Sequence, residues 1–364
     1  MKIDLIAGAR PNFMKISPVI DAIKVAQSKG ENIEYRLVHT GQHYDENMSG
    51  SFFEQLGIPL PDINLDAGGG TQAEQTAKIM IGYETLLLRE STDYCIVVGD
   101  VTSTMACSIV AKKLNIKVIH VEGGIRSWDL SMPEEINRMV TDSITDYFFT
   151  TSETANSNLM NNGIPKDRIF YVGNTMIDTL LKHRHHFIKP PIWEIVDLSE
   201  KNYIVMTLHR PSNVDGEKIL KGLIEEIIRN SRRIPIIFPV HPRTENRLKS
   251  IGIAYPNLHT IKPLGYLEFN YLVEKAKGVI TDSGGITEET TVMDVPCMTL
   301  RNNTERPETI ELGTNELLGV NPKAIGPAME KLFSGKWKKA QIPQMWDGKT
   351  AQRIVKKLLS DDLF

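Results

Sequence analysis

Twice along this chain, short runs of β-branched and apolar residues alternate with longer stretches of helical character, and a break at Lys189-Pro190-Pro191 separates the two series. The first series places strands near 3–7, 35–40, 94–98, 118–121, 147–151 and 170–172. Helices are expected at 15–28, 71–89, 103–114 and 134–145, with another after Asn174. The second series places strands at 203–208, 235–240, 258–261, 278–281 and 297–300. Strands that are apolar throughout are buried on both faces, as in a parallel sheet covered by helices. The reading is therefore α/β, with two doubly wound halves, and 364 residues suit two domains of roughly 150 to 200 each. Open sheets of this kind bind ligands beyond the carboxyl ends of their strands. Two such halves facing across a cleft would present their strand-end loops to one ligand.

Composition narrows the partners. With 42 basic against 45 acidic residues and a net charge of −3, the chain has no electrostatic footprint for nucleic acid, and the basic cluster around Trp337 is short enough to be a solvated face. No run has membrane-spanning length, and the sequence opens directly on a strand pattern, so a cytoplasmic protein is expected. The three cysteines, Cys95, Cys107 and Cys297, lie in apolar surroundings without the spacing of a metal site or disulfide framework, and read as core thiols.

The strand ends are rich in polar residues. The segment 278–289, GVITDSGGITEE, reads as a strand, a glycine turn and a helix start. Such a turn brings backbone N–H groups toward an anion at the positive end of the helix, and Ser283 adds a hydroxyl. The alternative is an ordinary connection capped by Asp282 or Ser283. Arg10 and Lys15 follow the first strand and are placed at a loop and helix start. Asp100 ends the third strand and Glu122 the fourth, and Glu134 follows soon after. Asp100 and Glu134 also suit helix capping and dipole compensation, whereas Glu122, between a strand end and two glycines, has little capping work to do. In the second half His209-Arg210 and His241 end successive strands, and Arg306 is close enough to the glycine turn to pair with Glu289 or with a phosphate.

The blocks Gly8-Ala9-Arg10-Pro11, Thr40-Gly41-Gln42-His43, Val98-Gly99-Asp100, His120-Val121-Glu122-Gly123-Gly124-Ile125-Arg126, Met132-Pro133-Glu134-Glu135-Ile136-Asn137-Arg138, Leu208-His209-Arg210, Asp282-Ser283-Gly284-Gly285-Ile286 and Glu305-Arg306-Pro307-Glu308 resemble those of the non-hydrolysing UDP-N-acetylglucosamine 2-epimerases. The matches run in order across nearly the whole chain. The resemblance implies a GT-B fold: a Rossmann-like domain over 1–173, a UDP-binding Rossmann-like domain over 174–349, and a final helix within 350–364 packing back on the first. It implies interconversion of UDP-GlcNAc and UDP-ManNAc by anti elimination of UDP to 2-acetamidoglucal and re-addition, with no nicotinamide or other cofactor and no metal, in a homodimer. By motif match Asp100, Glu122, Glu134 and His209 are the catalytic residues. Arg10, Lys15, His241, Ser283, Gly284, Gly285, Glu289 and Arg306 would hold UDP, with Phe269 and the Leu264 backbone beside uracil and Glu289 accepting from the ribose hydroxyls. A proton that leaves one face of C2 and returns to the other needs acid/base groups on both, and departing UDP needs cations and N–H donors.

Two positions depart from the family pattern: Gly123 stands where alanine is usual, and Asp45 where allosterically regulated bacterial members carry glutamine. A carboxylate at Asp45 predicts hyperbolic kinetics without activation by UDP-GlcNAc. Related enzymes that epimerise UDP-2,3-diacetamido-2,3-dideoxyglucuronate share the motif set and supply an alternative substrate. A GT-B glycosyltransferase would share the domain pair and nucleotide turn without needing three carboxylates in the first domain.

Overall fold

The computed structural model describes residues 1–41, 53–240 and 242–360. Gln42, His43 and Asp45, on which the expectation about regulation rests, and His241, expected to hold UDP, lie outside the described residues. The chain divides into two compact units, Met1–Lys182 with the segment from Gln344 onward, and His183–Pro343. Among the described residues no helix is long and apolar enough to cross a membrane.

The first unit holds a parallel sheet of β1 (Lys2–Ala7), β2 (Glu34–His39), β3 (Ile63–Asn64), β4 (Tyr94–Val98), β5 (Lys117–Val121), β6 (Tyr147–Thr150) and β7 (Ile169–Tyr171). Their order is β3-β2-β1-β4-β5-β6-β7. All five residues of β4 are buried, as a strand covered on both faces requires. Ile6, Val97, Cys95 and Val118 pack in one core cluster with Ile79, Tyr83 and Leu86 of the helix Gln72–Arg89. Each such side chain contributes roughly 1.5–3 kcal/mol when fully buried. The three cysteines are free and buried. Burial pushes the Cys297 thiol up to about 12 and those of Cys95 and Cys107 upward as well.

The second unit repeats the plan with β8 (Ile204–Thr207), β9 (Ile236–Pro239), β10 (Leu258–Ile261), β11 (Gly278–Thr281), β12 (Cys297–Thr299) and β13 (Asn315–Leu317), ordered β10-β9-β8-β11-β12-β13. Ile204, Met206, Phe238, Ile280 and Met298 pack with Leu220, Leu223 and Ile227 of the helix Glu217–Asn230. In both sheets the first strand of the series lies inside, and the winding reverses beside it, between β1 and β4 and between β8 and β11.

Several elements differ from the sequence reading. The first helix begins at Arg10 rather than near 15. Pro11 falls in its first turn, where no N–H is needed, and Asn12 Oδ1 accepts from the Gly8 and Ala9 N–H groups at 3.2 and 2.9 Å. Lys15 is therefore interior to the helix and buried, not at a helix start. The edge strands β3 and β13, of two and three residues, carried too little pattern to be read.

The division between units also falls elsewhere, at Lys182 and Gln344 against the expected 173 and 350. The helix Thr175–His183 is held in the first unit by buried Met176, Ile177 and Leu180 and by Thr179 Oγ1, which donates to Met14 O at 2.6 Å. The returning chain is fastened earlier than its last helix. Trp346 Nε1 donates to Thr151 O at 2.9 Å, and buried Asp178 accepts from the Thr350 and Ala351 N–H groups at 3.1 and 2.8 Å, opening the helix Thr350–Leu358.

Candidate active site

At the switch point of the first sheet, the turns after β1, β4 and β5 and the helix Pro133–Ile144 converge. Asn12 Nδ2 donates to Val98 O at 2.9 Å, joining the first helix to the end of β4. Gly99 follows with φ +68°, and a Cβ there would lie 3.3 Å from Lys15 Nζ and 3.5 Å from Glu122 Oε2. Lys15 and Glu122 form a buried ion pair at this place. Glu122 itself has φ +69°, a left-handed conformation that costs a non-glycine residue on the order of 1–3 kcal/mol. Its N–H is held by Phe149 O at 2.8 Å. A strained, buried, paired carboxylate at a strand end has no capping work, as its sequence position suggested.

Asp100 pairs with Arg138, whose Nε donates to Glu135 at 2.9 Å. Asn137 Nδ2 fixes the Asp100 carbonyl at 2.9 Å. Glu135 in turn accepts from the N–H groups of Ser127 and Trp128, each at 3.0 Å. Burial raises the pKa of Glu135, but these donors and Arg138 outweigh it and hold the carboxyl below its ordinary value. Glu134, the neighbouring residue, is exposed in the first turn of the same helix. Arg10 opens its helix half-buried, and burial lowers its pKa from the ordinary value. The first unit thus gathers Lys15, Asp100 and Glu122 at one switch point, with Glu134 open to solvent beside them.

In the second unit the register Thr207↔Thr281 sets the end of β8 beside the end of β11. There fully buried Asp282 accepts from the N–H groups of His209 and Arg210 at 3.0 and 2.9 Å and from Asn213 Nδ2 at 3.1 Å. His209 Nδ1 lies 2.8 Å from Asp282 Oδ1, while the His209 side chain is 62% exposed. Burial raises the pKa of Asp282, and its bond to His209 and the other donors more than offset it, holding the carboxyl low. Sequence reasoning missed this partner because β8 and β11 lie 74 residues apart in register.

Ser283 precedes the helix Gly284–Val292 and makes no side-chain cap bond, so its hydroxyl is not spent on the helix. A Cβ on Gly285 would meet nothing within 4 Å, whereas one on Gly284 would come within 2.7 Å of Glu305 Oε1 and 2.9 Å of Arg306 Nη1. A methyl group at 284 would therefore displace the ends of those two side chains. Arg306 pairs with Glu288 at 2.6 Å and Glu305 at 2.7 Å, not with Glu289 as the sequence had allowed. Glu289 faces the other way, accepting from Tyr266 Oη at 2.8 Å and Asn270 Nδ2 at 3.4 Å. Burial, reinforced by the Glu288 charge, raises its pKa to about 7 against those two donors. Phe269 rides half-buried on the helix Tyr266–Lys275 that supplies both donors, and Leu264 lies just before it.

These are two doubly wound α/β units of the GT-B class, one rich in carboxylates at its switch point and the other carrying a glycine turn at a helix start. The chain belongs to the UDP-N-acetylglucosamine 2-epimerase family of isomerases, whose model matches residues 25–359. It is 42% identical over 371 residues to the UDP-N-acetylglucosamine 2-epimerase of Methanocaldococcus jannaschii, covering 98% of each chain. It is 39% identical over 322 residues to the UDP-2,3-diacetamido-2,3-dideoxy-D-glucuronate 2-epimerase of Pseudomonas aeruginosa, covering 88% of each. The crystal structure of the M. jannaschii UDP-GlcNAc 2-epimerase in complex with UDP-GlcNAc and UDP matches with a TM-score of 0.87, covering 98% of this chain and 99% of that one.

Proposed function

We propose that this chain interconverts UDP-GlcNAc and UDP-ManNAc. The observation that carries the reading is the division of chemistry between the switch points: Asp100, Glu122 and Glu134 on one, His209 and the Ser283-Gly284-Gly285 turn on the other. The second unit holds the nucleotide, its diphosphate on the turn and Arg306 and its ribose against Glu289, with Phe269 and the Leu264 backbone beside uracil. Arg10 and Lys15 add positive charge as UDP departs. A base takes the C2 proton, the C1–O bond breaks with its electron pair leaving on UDP, and 2-acetamidoglucal forms. UDP then adds back at C1 as a proton arrives at the opposite face of C2. The carboxylates and His209 move these protons, each worth about 10²–10⁴ in rate. The M. jannaschii relative, by name and by its complex with UDP-GlcNAc and UDP, supports the substrate.

We place the enzyme in the cytoplasm as a homodimer, a state that sedimentation at twice the chain mass would verify. A second substrate reading, UDP-2,3-diacetamido-2,3-dideoxyglucuronate, is favoured by the P. aeruginosa relative at 39% identity. An NMR time course with the two UDP-sugars side by side in deuterium oxide decides between them. The expected result is UDP-ManNAc from UDP-GlcNAc with deuterium at C2. Turnover of the diacetamido sugar alone transfers the reading to that substrate, and protium retained at C2 overturns the mechanism.

A further inference from the structure

The three carboxylates of the first switch point lie on three different segments, and one residue outside the proposed chemistry touches or adjoins all three. His120, in β5, is fully buried. Its Nε2 lies 2.7 Å from the carbonyl oxygen of Gly99, the residue before Asp100. Its Nδ1 lies 2.6 Å from Asp142 Oδ1, on the helix whose first turn bears Glu134. Glu122 follows the end of the strand that His120 belongs to, two residues after it.

Both contacts demand a donor from the ring. A carbonyl oxygen only accepts, so Nε2 carries hydrogen. Asp142 is ionised by its second oxygen's ion pair with Arg126 at 2.6 Å and by the Gly124 N–H at 3.1 Å, so it too accepts and Nδ1 carries hydrogen. Neither nitrogen is left to take a proton from substrate, and the ring has no exposed surface with which to meet one.

We infer, on the reading proposed above, that His120 is a positioning residue: a buried ring with hydrogen on both nitrogens, which ties the Gly99-Asp100 turn, the Glu122 turn and the helix of Glu134 to one another. Without it, the left-handed peptides at Gly99 and Glu122 lose the brace that opposes their relaxation. Gly123 is part of the same brace. A Cβ at that position would stand 3.2 Å from His120 Nδ1 and 2.9 Å from Phe148 Cδ1, so the ring and Phe148 together occupy the space a larger residue would need.

The first measurement reads the wild-type ring: ¹⁵N-histidine NMR of the full chain at the pH of the activity assay, with the His120 signals identified by their absence in His120→Gln. Both ring nitrogens should be hydrogen-bearing, and a bare nitrogen in the wild-type ring overturns the proposal. His120→Gln should lower kcat roughly 30- to 100-fold, the scale of misplacing a reacting group by about 1 Å, while UDP affinity stays within about twofold. Unchanged kcat, or kcat and UDP affinity falling in parallel, overturns it. Should that variant fold poorly, Gly123→Ala is the gentler probe: kcat should fall about 3- to 10-fold and recover when Phe148→Leu makes room for the methyl group. No recovery overturns the link. If the wild type turns over neither UDP-sugar, the functional reading fails, and the NMR result still decides the state of the ring.

Discussion

The two switch points share a topology and differ in what their charges face. At the first, Lys15 is turned upon Glu122, Arg138 upon Asp100 and Glu135, and Arg126 upon Asp142, while Glu134 stays exposed. In the second, His209 projects outward from a buried Asp282, and Ser283 and Gly285 leave a helix start uncovered. Buried ion pairs hold a protonation pattern and a spacing, and a helix start with open N–H groups holds an anion. On the function proposed above, the same fold serves proton transfer once and diphosphate binding once, because different residues end equivalent strands.

Separating these two tasks by mutation gives the largest expected effect. Glu122→Gln should cost 100-fold or more in kcat and leave UDP binding, measured by calorimetry, unchanged. His209→Asn should cost a similar factor in kcat without loss of fold, since Asp282 keeps its backbone and Asn213 donors. Near-wild-type turnover in both would sink the division. Glu122→Gln should also melt lower, because removing one partner of a buried pair strands the other, typically at about 3–5 kcal/mol. Adding Lys15→Met should restore the melting temperature and leave the activity low, which separates the pair's structural role from its chemistry.

Next in size are changes confined to the second switch point. Gly284→Ala pushes a methyl group into Glu305 and Arg306 and should weaken UDP binding about tenfold or more. Ser283→Ala should weaken it by up to about tenfold, the worth of one hydrogen bond, at unchanged melting temperature, because the hydroxyl caps nothing. A lower melting temperature in Ser283→Ala would show that the hydroxyl serves the helix after all.

The smallest expected effect has an unusual sign. Glu289 titrates near 7 in the folded chain against an ordinary 4.5. Between those values the folded state holds a proton that the unfolded chain has released, so this group's contribution to stability falls as pH rises through that window and stays lost above it. Glu289→Gln, which can still accept from Tyr266 and Asn270, should therefore melt a few degrees above the wild type at pH 8 and equal it near pH 4.5, while binding UDP more weakly. A variant that melts lower at pH 8 would mean that the buried carboxylate is stabilising as an ion.

Strand ends were legible because the signals are local: an apolar run that stops, then glycine. Partners were not, because they come from chain segments brought together only by sheet order. Lys15 meets Glu122 across 107 residues and Asp100 meets Arg138 across 38. The choice between Glu288 and Glu289 for Arg306 depends on a helix rotation of about 100°, which the sequence alone does not set. The helix that opens at Arg10 was read as starting near 15, although Pro11 suits a first turn, where no N–H is needed. His120 stood in one of the family blocks but nothing in the sequence pointed to its partner Asp142, 22 residues on, for a buried histidine in a strand looks like any other.

The return of the chain at Gln344 has a bearing on synthesis. The first unit receives Trp346 and the helix Thr350–Leu358 only after the whole of His183–Pro343 has been made. At about 5–20 residues per second, that insertion of about 160 residues takes on the order of ten to thirty seconds on the ribosome. Throughout that time Asp178 lacks the two N–H groups it will accept from, and the apolar surface awaiting Ile354, Val355 and Leu358 stays open to water or to a chaperone. The second unit, whose strands are contiguous in sequence, has no such wait and can close first.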